Sequence, residues 1–189
     1  MDVTTPRGKI IEAEGGGQME VFPVALSEDK LKTILEDVFQ NYWQDIHFGP
    51  LIQGAAWEVG APNAPKRITL NNGYLTVDFG PWHFHLCIGE FKGASPELAR
   101  QRRTSRAEFY RRLNLDGHPS SWGFHMFNGK GEQQMTVFFP NPFFVSVPEF
   151  KKLDPPDWSR LGMWNALRKT HLGLDPDSFD QKARKFYHG

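Results

Sequence analysis

Apolar positions recur along this chain in two rhythms, and the change between them outlines the fold. Leu31, Ile34, Leu35, Val38, Phe39 and Tyr42 follow one another at spacings of three and four, which puts them on one face of a helix. Ser27 stands ahead of them as an N-cap, with Glu28 and Asp29 at the positive end of the helix dipole. From Gly49 the rhythm becomes alternating, and it predicts strands over Ile52–Val59, Arg67–Leu70 and Tyr74–Phe79. Asn72-Gly73 supplies the hairpin turn between the last two. Trp82–Glu90 is the next strand. Ser95 and Pro96 then cap a second helix that the spacing carries to about Leu113.

Trp122–Phe127 and Gln133–Phe139 form another predicted hairpin around Asn128-Gly129-Lys130-Gly131, ended by Pro140-Asn141-Pro142. Asp157–Leu172 is a third helix closed by Gly173, and Asp175-Pro176 opens a short fourth. Glu20–Ala25 reads as a short edge strand, since Pro23 donates no backbone hydrogen bond. Residues 1–18, polar and rich in glycine, read as a loose N-terminal segment. Neither a repeat nor a long linker divides the sequence. The pattern predicts a single domain over 1–189 of the α+β class, with an antiparallel, hairpin-rich sheet and about four helices packed mainly on one face.

Composition sharpens this outline in two ways. Aromatic residues reach 14%, with 16 Phe and 6 Trp, enough for an aromatic core or an aromatic-lined pocket for a flat ligand. Lys plus Arg equals Asp plus Glu at 22 each, so no global field draws in nucleic acid. Cys87, the only cysteine, rules out an internal disulfide framework and fits a reducing compartment. The first residues show no signal-peptide pattern, and no apolar run approaches the roughly 18 residues of a membrane helix. A cytoplasmic protein that does not engage a membrane is the expectation.

The best candidate site lies on the strand His83-Phe84-His85. Residues two apart in a strand point the same way and lie about 6.6 Å apart, so the two imidazoles project together. Trp82, Phe84, Leu86 and Ile88 occupy the other face, as in a strand anchored in a core. Two imidazoles at this spacing suit one metal ion if a neighbouring strand adds a third ligand. His125 is the best third ligand, and Glu90 (after a bulge at Gly89), Glu132 and Asp78 are carboxylate candidates. Such a set fits iron, zinc or manganese with open positions for water or substrate. Cys87 shares the histidine parity but lies about 13 Å from His83 along an ideal strand, which makes it a small buried residue. The competing reading has both histidines hydrogen-bonded within a half-buried sheet.

A second candidate is the run Arg100, Arg102, Arg103, Arg106, Arg111 and Arg112. On a helix, Leu98, Phe109 and Leu113 define an apolar stripe that Arg102 and Arg106 interrupt. A guanidinium turned inward needs a carboxylate, a carbonyl array or an anionic ligand, and Arg recognises carboxylate and phosphate in bidentate fashion. Trp82 and Trp122 are the aromatic candidates for contact with such a ligand. No motif of a nucleic-acid module accompanies the arginines. The glycines of residues 128–131 precede no helix, so they form a turn and not a phosphate cradle. Trp158, Leu161, Trp164, Leu167 and His171 make an apolar stripe on the third helix, suited to internal packing or to a homodimer interface.

His83-x-His85 with Glu90 resembles the first metal motif of the cupins, and Gly117, Pro119, His125 and Asn128 resemble the second. The intervening arginine-rich segment and the spacing depart from that pattern, so the likeness is one of chemistry and not of fold. The segments Pro81–Gly89, Trp122–Gln133 and Asp157–Leu161 together resemble a bacterial family of uncharacterised proteins. That resemblance implies an intracellular protein and assigns neither activity nor catalytic residues. The leading expectation is a metal-binding protein or metal-dependent enzyme for a small anionic molecule, held by Arg102 or Arg106. The alternatives are a pocket protein for a flat ligand such as haem, with a histidine as axial ligand, and an interaction domain with no site.

Overall fold

The computed structural model describes residues 8–13, 16–145 and 151–186. In chain order the strands are β1 (Lys9–Glu12), β2 (Gln18–Pro23), β3 (His47–Gly49), β4 (Leu51–Ile52), β5 (Ala55–Ala56), β6 (Val59–Gly60), β7 (Arg67–Asn71), β8 (Tyr74–Asp78), β9 (His83–Cys87), β10 (Thr104–Leu113), β11 (Pro119–Asn128), β12 (Gln133–Phe138), β13 (Phe144–Val145) and β14 (Lys151–Lys152). The α-helices among the described residues are α1 (Glu28–Asn41), α2 (Pro96–Arg102) and α3 (Gly162–Leu172). Single 3-10 turns cover Trp158–Leu161 and Ser178–Gln181. The class is α+β with antiparallel pairing as expected, but with three α-helices instead of about four. None of these helices is long and apolar enough to cross a membrane.

The chain divides into two compact units. One holds Val24–Glu108 and His125–Val137. In it α1 starts at Ser27, whose side chain accepts from the Lys30 amide, and buries Leu31, Ile34, Leu35, Val38 and Phe39 completely. Each such side chain contributes roughly 1.5–3 kcal/mol. The Phe39 ring meets Phe79 at 6.3 Å and Phe84 at 5.3 Å, so α1 covers one face of a separate three-stranded sheet, β7-β8-β9. Asn72-Gly73 closes the β7–β8 hairpin with positive φ at both residues, 48° and 80°. A Cβ at Gly73 would lie 2.6 Å from the Glu90 carbonyl oxygen, so glycine is required there. The remaining strands of this unit run in the order β10-β11-β12-β3-β6, with the first half of β10 and the last half of β11 taking part.

The other unit holds the N-terminal strands, Phe109–Phe124 and everything from Phe138 onward. Its strand order is β1-β2-β10-β11. β2 therefore has a neighbour on each side and is not the expected edge strand; Pro23 is its last residue, where a missing donor costs no ladder bond. β1 pairs with β2 from Lys9↔Val21 to Glu12↔Gln18. Phe22, Phe109, Phe139 and Trp164 form the aromatic core, with Phe109 and Phe139 6.2 Å apart and Phe22 and Trp164 5.9 Å apart. Leu161, Trp164, Leu167 and His171 are all buried, and Trp158 packs half-buried on Phe143, so the stripe of the third helix is internal.

The largest departure from expectation concerns residues 103–113. The second helix stops at Arg102, because Arg103 turns extended (φ −65°, ψ 145°), and Thr104–Leu113 is a strand. Arg106, Arg111 and Arg112 therefore lie on a β-ladder and not on a helix face. The expected fourth helix is the 3-10 turn Ser178–Gln181, and the expected strand over Ile52–Val59 breaks into β4, β5 and β6.

Candidate functional site

The alternation read from β9 is present. Phe84 and Leu86 turn inward, while His83 and His85 are exposed on the face away from α1. Antiparallel register sets Asp78 opposite His83 and Thr76 opposite His85, with Arg67 and Thr69 one strand further. The two imidazoles stand 4.9 Å apart, centroid to centroid, at 69°. His85 Nδ1 is 2.7 Å from the Thr76 hydroxyl, which fixes that ring. Asp78 accepts from the Gly80 amide at 2.8 Å and from Arg67 Nε at 2.9 Å. The amide bond above all, with Arg67 and then His83, holds the Asp78 carboxyl below the usual aspartate value. This is an open, polar sheet face carrying two imidazoles, one carboxylate and one guanidinium.

The further expected ligands lie elsewhere. Glu90 is exposed beyond the end of β9, and Glu132 sits in the β11–β12 turn, where its carboxylate accepts from Asn128 Nδ2 at 2.8 Å. His125 is buried on β11 with Nε2 2.9 Å from Glu108 Oε1. Among the described residues no group of three or more His, Cys, Asp or Glu side chains is placed to hold a metal ion, so the expected set of His83, His85 and His125 is not assembled. Cys87 is buried as expected. Its thiol lies 3.7 Å from the Gly89 carbonyl oxygen, and burial pushes its pKa up.

The expected anion-holding arginines also have their own settings. Arg102 is exposed at the end of α2, its guanidinium carbon 5.8 Å from the Phe91 ring centroid. Arg106 lies over Phe127 at 3.6 Å and pairs with Glu108 Oε1 at 3.0 Å, the oxygen that also meets His125. Glu108 is thus the buried centre of an Arg–Glu–His group. Its signal is the i, i+2 spacing of Arg106 and Glu108, legible once the segment is a strand. Trp82 is half-buried against Phe79 (4.6 Å) and Phe48 (6.0 Å), so its ring belongs to the aromatic core of its unit.

Trp122, in the other unit, is part of a buried polar network. Its Nε1 donates to Asp180 Oδ1 at 2.8 Å, and Arg111 Nη1 reaches the same oxygen at 2.9 Å. Trp164 Nε1 donates to Asp180 Oδ2 at 2.9 Å, and Arg168 Nη1 stands 3.5 Å from it. Arg111 also donates from Nε to Glu20 Oε2 at 2.8 Å, while its Nη2 lies 2.7 Å from that oxygen and 2.9 Å from Asp177 Oδ2. These last two are close ion pairs without hydrogen-bond alignment. Both guanidiniums are fully buried, and burial pulls the Arg168 pKa down from its usual value. Arg168 Nε and Nη2 have no hydrogen-bond partner. Sequence gave no sign of this network, because Arg111 meets carboxylates 91 and 69 residues away.

Comparison with known proteins adds family and fold. No curated protein sequence matches the chain. The fold is similar to that in the crystal structure of ChuX, with a TM-score of 0.51 and 13% identity over 82% of this chain and 78% of that one. At this identity the likeness shows the fold alone. A family model covers residues 8–173, which carry all three segments of the resemblance noted from sequence. The chain belongs to the family that this model describes, the family of unknown function DUF7676.

Proposed function

We propose that this protein binds a small, flat ligand such as haem on the exposed β7-β8-β9 face, with His85 or His83 as the axial ligand. The observation that carries this reading is the pairing of His85 Nδ1 with Thr76 while the ring stays exposed on the sheet. With Nδ1–H donating to the hydroxyl, Nε2 carries the lone pair, as a histidine bound to a metal centre requires. Haem also carries carboxylates at its edge, and Arg67, on the same face, is the guanidinium placed for one. Apart from the exposed Trp57, the aromatic residues of this unit are buried or half-buried, so the ligand is held by coordination and charge on an open surface. Affinity weaker than in an enclosing pocket follows.

Titration of the protein with haem tests this by absorption. The expected result is a shifted Soret band that saturates at one equivalent, is lost in the His83→Ala/His85→Ala double variant, and weakens about 10-fold in Thr76→Val, the low end for loss of a ligand-orienting partner. An unchanged spectrum, or a shift that survives removal of both histidines, would overturn the reading.

A further inference from the structure

The second unit presents a carboxylate-binding arrangement that the proposed function does not use. Four donors from β10, β11 and α3 converge on the two oxygens of Asp180: Arg111 Nη1 and Trp122 Nε1 on one, Trp164 Nε1 and Arg168 Nη1 on the other. The donors belong to the region matched by the family model, whereas Asp180 lies beyond its end at residue 173. The segment carrying Asp180 is a four-residue 3-10 turn whose neighbours Asp175, Pro176, Ser178, Gln181 and Lys182 are exposed. Its apolar anchorage is Phe179, half-buried over Arg111, followed by the small buried Ala183 and by Phe186, 5.0 Å from Phe144. Such segments open at the low end of a protein's stability range.

Formal charge points the same way. With the turn in place, Glu20, Asp177 and Asp180 face Arg111 and Arg168, so three negative and two positive charges leave −1. Without the turn, Glu20 alone faces the two arginines, and the sum is +1. A buried excess positive charge beside two indole N–H donors calls for an anion. Arg168 supplies the second indication, since it is fully buried and its Nε and Nη2 donors go unused by Asp180.

We propose that Arg111, Trp122, Trp164 and Arg168 form a socket for a small carboxylic acid, which Asp180 fills in this chain as an internal substitute. The unused Arg168 donors favour a ligand with a second acidic group, so a dicarboxylate outcompetes a monocarboxylate.

The test is made on full-length Asp180→Gly, which empties the socket. Formate and malonate are each added against chloride at equal ionic strength, and the thermal midpoint is read, or the refolding yield where the variant does not stay folded. The expected result is a rise of several degrees, or a several-fold gain in yield, with formate, and a larger one with malonate. The malonate advantage disappears when Arg168→Gln is added. Asp180→Asn, whose amide still fills the space, shows no such response. Equal effects of the three anions on Asp180→Gly would overturn the proposal, as would the same response in Asp180→Asn.

Discussion

Asp177 shows how one side chain couples the C-terminal turn to proton concentration. Partial burial pushes its pKa up, but the Phe179 amide at 2.9 Å and the Arg111 guanidinium outweigh it, and the net direction is down. A carboxyl held lower in the folded chain than in the unfolded one adds stability above the unfolded value, about 3.9, and loses it as pH falls through the folded value. Wild type should therefore exceed Asp177→Asn in stability by a margin that is full near pH 6 and shrinks toward pH 2, measured by denaturant unfolding across that range. Parallel profiles for the two proteins would remove this account. At this scale sequence was informative wherever a residue's partner is its neighbour. The parity of His83, His85 and Cys87 could be read from β9 itself, whereas the partners of Arg111 and Trp122 come from distant segments that no local pattern announces.

At the scale of the element, α1 is the case in which every local signal agrees. Its cap, its acidic first turn and its apolar stripe all match the observed Glu28–Asn41 helix. Replacing Ser27 with Ala removes the bond to the Lys30 amide and should cost about 1 kcal/mol in denaturant unfolding; a loss below a few tenths would mean that the cap is dispensable. β10 is the opposite case. Arg, Ala, Glu and Leu are good helix formers, and the spacing of Leu98, Phe109 and Leu113 imitates a helical stripe. The strand gives no alternation to contradict it, because Ala107 through Arg111 are buried one after another. Glu108 and Arg111 occupy those interior positions as paired charges, and a reading of polar residues as surface residues fails there. Tertiary pairing decides the conformation that propensity leaves wrong.

Across the whole chain, the expected aromatic richness resolves into two cores, one built around Phe39, Phe48, Phe79 and Phe84 and the other around Phe22, Phe109, Phe139 and Trp164. Sequence indicated the class, the hairpins and the strand bearing the histidines, since these follow from periodicity and turn chemistry. It did not indicate which acidic residues meet which arginines, because that follows from chain topology. The buried Cys87 carries a practical consequence. As the chain's one thiol, with ionisation suppressed by burial, it reacts with a maleimide only when the surrounding strands come apart. Its modification rate in the native protein should then fall orders of magnitude below that in denaturant and rise with every mutation that weakens the α1-covered sheet. Fast labelling without denaturant would mean that this sheet opens far more readily than its packing implies. A single sulfur atom thus serves as an intrinsic clock for the opening of that unit, with no label engineered in.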